Sequence, residues 1–211
     1  MEQFLQQAVS ILQEGGVVVY PTDTVYGLGA DAFNEKASAR IYRIKQRPLT
    51  RPFPLLIADE SELADLATGI SETAKNMMDH FWPGGLTLVV RKSPSLPDWL
   101  TAGGNTIAVR IPDHPLALAL IRGLCSPLIG TSANLSGLPS VASAEEVRAQ
   151  LGGEVDFVLD GGICPGGIES TVIDVTGEVP TIIREGAVSG DEIARLCGPC
   201  IRQIEVTESG N

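Results

Sequence analysis

Lys45, Arg47 and Arg51 fall within the eight-residue stretch KQRPLTRP (45–52) of a 211-residue chain whose formal net charge is −11. A strongly acidic chain gains no solubility from a local cation cluster, so these three side chains call for a ligand. A polyanion small enough to enter a cleft, such as a nucleoside triphosphate, has the matching charge. The alternative is a solvated basic turn at a helix end, where cations offset the macrodipole.

Other chemistry-bearing groups stand at the ends of apolar runs. IAV leads into Arg110, TII into Arg184, and PLIG into Thr131-Ser132-Ala133-Asn134. The run at 17–20 leads into the PTDTVYGLG loop with Thr24, and Ser170 immediately precedes the apolar 171–175 segment. Strand ends in open α/β sheets line the crevice where ligands bind. Arginines and short hydroxyls delivered this way make a pocket for phosphate and carboxylate. Taken singly, the arginines could be surface residues ending strands, and Ser132 and Asn134 could be turn formers.

Several chemistries are disfavoured by what the chain lacks. Its two histidines, His80 and His114, stand in no Ser-His-Asp order and in no metal-ligand spacing, so no metal site of the protein's own is expected. Catalysis would rest on holding reactants together and stabilising developing charge. The glycines of Gly27-Leu-Gly29 fit a loose dinucleotide pattern, but the acidic ribose partner about twenty residues on is missing. No GxxxxGK[ST] phosphate loop occurs. Cys197-Gly-Pro-Cys200 spells a redox motif, yet it follows a predicted helix at 191–196 instead of opening one. It reads as a helix end with two small apolar residues; Cys125 and Cys164 complete the cysteines.

The elements that must position these groups alternate along the chain. Helical patterns are predicted near 2–14 (Phe4, Ala8, Ile11 and Leu12 inward), 34–45, 62–67, 71–81, 116–122, 144–151 and 191–196. Strands are predicted at 17–20, 55–58, 86–90, 106–111, 128–130, 157–160, 171–175 and 181–184. The expected architecture is a single α/β domain spanning 1–211, a twisted mixed sheet flanked by helices, with a doubly wound parallel sheet as runner-up. At 44% hydrophobic residues, without a bilayer-length apolar run or a basic leader, a soluble cytoplasmic protein without membrane contact is expected. The pI near 4.6 disfavours nonspecific nucleic-acid binding.

With those residues in hand, the chain resembles the YrdC-like family, the threonylcarbamoyl-AMP synthases. The matching pieces are PTDTVYGLG (21–29), KQRP (45–48), WPGGLTLVV (82–90), TIAVRIP (106–112), TSANLSG (131–137), IESTVID (168–174) and IIREG (182–186). The resemblance implies a twisted mixed sheet around a positively charged cavity. It also implies a short form without the extra C-terminal domain of longer members. The implied reaction joins L-threonine, bicarbonate or CO2, and ATP into L-threonylcarbamoyladenylate and pyrophosphate, with Mg2+ accompanying the nucleotide. Downstream transfer proteins would carry the group to an adenosine of tRNAs reading ANN codons, with at most a weak direct tRNA contact.

Roles follow by position. The resemblance assigns threonine to Thr24, Arg110, Ser170 and the Gly130 backbone. It assigns the nucleotide to Arg47, Thr106, Ser132, Ser140 and Arg184, with Lys45 a phosphate partner and Asn134 supporting its loop. Lys45 and Arg47 are the expected catalytic cations. Two positions depart from the family pattern. Arg51-Pro52 replaces Asn-Pro, which keeps a phosphate contact, and Leu56 stands where many members carry a histidine, so it cannot hydrogen-bond the amino acid. An RNA-binding or ribosome-maturation protein is the competing expectation. A carbamoyl-phosphate domain of hydrogenase maturation is a third.

Overall fold

A computed structural model describes residues 1–202. In chain order the strands are β1 (Val18–Tyr20), β2 (Gly27–Gly29), β3 (Leu55–Leu56), β4 (Ala67–Thr68), β5 (Leu86–Lys92), β6 (Thr106–Arg110), β7 (Leu128–Ile129), β8 (Thr131–Ser132), β9 (Phe157–Val158), β10 (Thr171–Asp174), β11 (Thr181–Arg184) and β12 (Ile201–Arg202). The helices are α1 (Glu2–Gln13), α2 (Glu35–Lys45), α3 (Leu63–Leu66), α4 (Glu72–Phe81), α5 (Pro115–Leu124), α6 (Ala144–Leu151) and α7 (Gly190–Cys197).

Two sheets form. The smaller has the order β8-β2-β1-β9, and the larger runs β12-β11-β10-β5-β6-β3-β7, with β4 paired to β5. Both mix parallel and antiparallel pairs: β1 runs parallel to β9 and antiparallel to β2, while β5 runs parallel to β10 and antiparallel to β6. The mixed sheet is therefore observed and the doubly wound parallel alternative is not.

Helix boundaries follow their caps. Asn34 accepts from the Ala37 amide at 3.1 Å to start α2, and Ser71, Ser143 and Ser189 do the same for α4, α6 and α7. His114 caps α5 ahead of Pro115, so it is half-buried at a helix start and not an exposed turn residue. Two helical expectations change. Phe4 on α1 is exposed, because Ala8 and Leu12, with Leu5, Val9 and Ile11 partly buried beside them, carry that helix onto α5 and β1. The 62–67 helix is a 3-10 turn at Glu60–Glu62 and a single turn of α3, cut off as Ala67 pairs with Lys92 in β4–β5.

Period-two patterning in the larger sheet separates core from cleft. In β5, Leu86, Leu88 and Val90 enter the main core while Thr87 and Val89 face the opposite side. In β6, Val109 is core while Thr106, Ala108 and Arg110 share the other face. The same holds for Ser170 and Val172 flanking Thr171 and Ile173 on the adjoining strand. That second face is one wall of the cleft. Among the described residues, no helix is long and apolar enough to cross a membrane.

Candidate nucleotide and amino-acid cleft

A cleft of about 760 Å³ lies between the polar face of the larger sheet and the β1–β2–β8 edge of the smaller one. Lys45, Arg47, Arg51, Arg110 and Arg184 line it, together with Thr24, Thr106, Gly130, Ser132, Asn134 and Ser170. Residues spread over 160 positions of sequence thus meet in one hollow. Ser140 is the exception among the predicted site residues. It does not line the wall, and its hydroxyl donates to the carboxylate of Glu169, which does.

Arg110 is the buried cation of one end. Its Nε donates to the Gly84 carbonyl at 2.8 Å, one terminal nitrogen to Thr24 Oγ1 at 3.0 Å, and the other to Asp23 Oδ1 at 2.5 Å. Three of five N–H groups are thereby fixed, which orients a planar fork with donors to spare for a carboxylate. Burial pulls Arg110 below the ordinary arginine value, and Asp23 pushes it back up. Asp23 is itself anchored by the Asp113 amide at 3.1 Å. Thr24 Oγ1 also meets Thr22 Oγ1 at 2.9 Å, and Ser170 Oγ meets Thr87 Oγ1 at 2.9 Å, so short hydroxyls ring this end.

Leu56 sits beside Arg110 in the parallel β3–β6 register and supplies the apolar wall. Gly130 faces it: a Cβ there would lie 2.5 Å from Leu56 Cγ, so only glycine fits. That close approach keeps backbone exposed at the wall.

The other end is cationic. Arg47 lies with its guanidinium carbon 5.1 Å from the centre of the Phe53 ring, and Nε donates to the Arg51 carbonyl at 3.0 Å. Burial lowers Arg47, and Arg51 and Arg184 lower it further by repulsion. Three like charges held together favour an anion between them. Arg184 pairs with Glu169 and donates to the Ser170 carbonyl at 2.8 Å.

Lys45 is buried and spends its protons on protein: on the Ser132 carbonyl, the Asn134 carbonyl at 2.8 Å and Asn134 Oδ1 at 3.0 Å. It therefore organises the 131–138 loop and adds its charge to the cleft without offering a free donor. Burial pulls its ammonium down to about 8, Glu169 pushes it up, and Arg47 pulls it down.

Sequence reasoning left out Glu169, Asp23, Thr22 and Thr87 as site groups. Glu169, Asp23 and Thr22 lie inside motifs from which only a neighbour was singled out. Thr87 had its own signal, a polar residue facing the other way in an apolar strand. Among the described residues, no three His, Cys, Asp or Glu groups could together hold a metal ion.

A family model described as "Telomere recombination" (Sua5, YciO and YrdC) matches residues 10–186. The chain belongs to the Sua5/YciO/YrdC family. A threonylcarbamoyl-AMP synthase of Bacillus subtilis (strain 168) is 45% identical over 196 residues, covering 92% of this chain and 57% of the relative. The crystal structure of Pyrococcus abyssi Sua5 complexed with L-threonine aligns with a TM-score of 0.93 at 41% identity, over 96% of this chain and 60% of that one. Escherichia coli YciO aligns at 0.83 and 34%, over 92% and 93%. The chain thus spans a little over half the length of the first two of these Sua5/YciO/YrdC relatives.

Proposed function

We propose that this member of the family is an L-threonylcarbamoyladenylate synthase, a nucleotidyltransferase that serves tRNA modification. The observation that carries the reading is the meeting of Arg110 and Thr24 with Arg47, Ser132 and Arg184 in one cleft. One end suits an amino-acid carboxylate and hydroxyl, and the other suits phosphates. The names of the Bacillus and Pyrococcus relatives and the threonine complex support it.

The free amine of threonine would attack the carbon of CO2 and lose one proton, giving a carbamate; starting from bicarbonate, water leaves. A carbamate oxygen would then attack the α-phosphorus of ATP. The bond from that phosphorus to the oxygen bridging toward the β-phosphate breaks, and pyrophosphate leaves with the electron pair. Arg110 holds the carboxylate, and the Thr24 and Ser170 hydroxyls orient the amino acid. Arg47, Arg51 and Arg184 offset the charge that grows on the phosphates. Magnesium enters with the nucleotide as part of the substrate, bound by phosphate oxygens and water. The adenylate would pass to transfer proteins that act on tRNA.

The test is incubation with ATP, magnesium, bicarbonate and each amino acid in turn, with mass spectrometry for the mixed anhydride. The adenylate should form with threonine. Pyrophosphate release that persists when threonine is omitted would contradict the reading.

A further inference from the structure

Glu169 lines the cleft at its phosphate end and is bonded to the groups expected to bind phosphate. Its Oε1 accepts from Ser140 Oγ and its Oε2 from Arg184, while Ser132 and Lys45 lie close enough to draw its carboxyl down. Burial alone would raise that carboxyl, but the four neighbours together hold it below the usual glutamate range. A carboxylate among two hydroxyls, a guanidinium and an ammonium has the surroundings of a bound phosphate.

We infer that Glu169 is the internal anion of the phosphate site: it exchanges with the ligand's phosphates for Arg184, Ser132 and Ser140, and so sets the preference for polyphosphate over less charged ligands. The exchange needs only a side-chain rotation. The Glu169 carbonyl is pinned by the Ala187 amide at 2.8 Å, and the side chain is 28% exposed, with water on one side to receive it. Arg184 does not leave with it, because a separate N–H stays on the Ser170 carbonyl at 2.8 Å. The guanidinium therefore keeps its place while its anion changes. A triphosphate brings several charges against the single one displaced. A phosphate ester with one charge competes poorly, so Glu169 returns once pyrophosphate has gone and helps expel the product.

This inference rests on the nucleotide reading of the cleft, and the experiment separates the two. Binding of α,β-methylene-ATP and of adenosine is measured by calorimetry for the wild type, Glu169→Gln and Glu169→Asp, with thermal unfolding as the folding control. Gln removes the competing charge, while Asp keeps it but lacks the reach to hold Ser140 and Arg184 together. The analogue should bind at least fivefold tighter to Gln and measurably tighter to Asp, with adenosine unchanged. Wild-type binding that Gln leaves equal or weakens overturns the exchange and leaves the proposed function standing. A gain confined to Gln reduces Glu169 to a background charge and also overturns it. No analogue binding by any of the three proteins takes down the nucleotide reading together with this one.

Discussion

Lys45 holds Asn134 at two points, its ammonium donating to the carbonyl at 2.8 Å and to Oδ1 at 3.0 Å. Its third proton goes to the Ser132 carbonyl, so one buried cation fixes both ends of the Ser132–Asn134 segment. The hydroxyl of Ser132 can face a phosphate only while that segment keeps its shape. Positioning the loop is thus the contribution that the geometry assigns to Lys45.

The first prediction follows from its proton. A neutral amine has two donors instead of three and no charge, so kcat/KM for ATP should fall tenfold per unit as pH rises above about 8. Stability should move the other way. Lys45 is lowered from 10.5 to about 8, so between those values the unfolded chain holds a proton that the folded one has released. This group's contribution to folding therefore improves with pH across that window and is at its least favourable below 8. Lys45→Met should lack the alkaline limb and start about 100-fold lower. An unchanged limb in Lys45→Met would assign it to another group.

A second prediction concerns Asp23 and Arg110, joined at 2.5 Å in a buried pair. Asp23→Asn leaves the guanidinium without its counter-charge and should cost about 3 kcal/mol of stability, read by denaturant unfolding. The proposed function puts the amino-acid carboxylate at Arg110, so KM for threonine should rise at least tenfold and KM for ATP stay within twofold. Equal rises in both constants would mean that the whole cleft had collapsed.

The architecture was legible where apolar periodicity and caps agreed. Asn34, Ser71 and Ser143 start the expected helices, and the apolar runs at 86–90 and 106–111 predicted both central strands. It failed at β2, where Gly27-Leu-Gly29 read as the end of the PTDTVYGLG loop and not as a strand. A Cβ on Gly27 would lie 2.7 Å from Tyr20 Cζ, so the glycines make room for an aromatic ring across the β1–β2 pair. Strand propensity cannot reveal a strand whose side chains were removed to admit a neighbour's. Two-residue strands such as β4 and β8 are too short for any period. In the site, residue types pointed to anion binding, but the pairing of Glu169 with Arg184 joins the loop before β10 to the end of β11, fifteen residues apart, and left no local pattern.

Leu56 yields a third prediction. It is 4% exposed, touches the cleft, and flanks Arg110 in register, so it borders the space where the proposed function puts the amino-acid carboxylate. Leu56→Ala should cost about 2–5 kcal/mol of stability and enlarge that space. The threonine-to-serine ratio of kcat/KM rests on one methyl group, worth about 1–3 kcal/mol in a fitted pocket. The ratio should fall about tenfold in the variant. A ratio unchanged at reduced stability would place the methyl against another wall.

The cysteine pair gives a fourth. Cys197 is the last residue of α7 and Cys200 follows the helix, so neither thiol lies at a helix N-terminus where the dipole would favour the thiolate. Burial raises both thiols, and each raises the case for packing, since both rest against the main core. A nucleophilic or redox role needs the opposite shift. The double variant Cys197→Ser/Cys200→Ser should lose about 1–2 kcal/mol of stability through two less apolar contacts. Its turnover with threonine and ATP should stay within twofold of wild type, under reducing and oxidising conditions alike. Wild-type activity that falls on oxidation, while the double variant resists, would restore the redox reading of this motif.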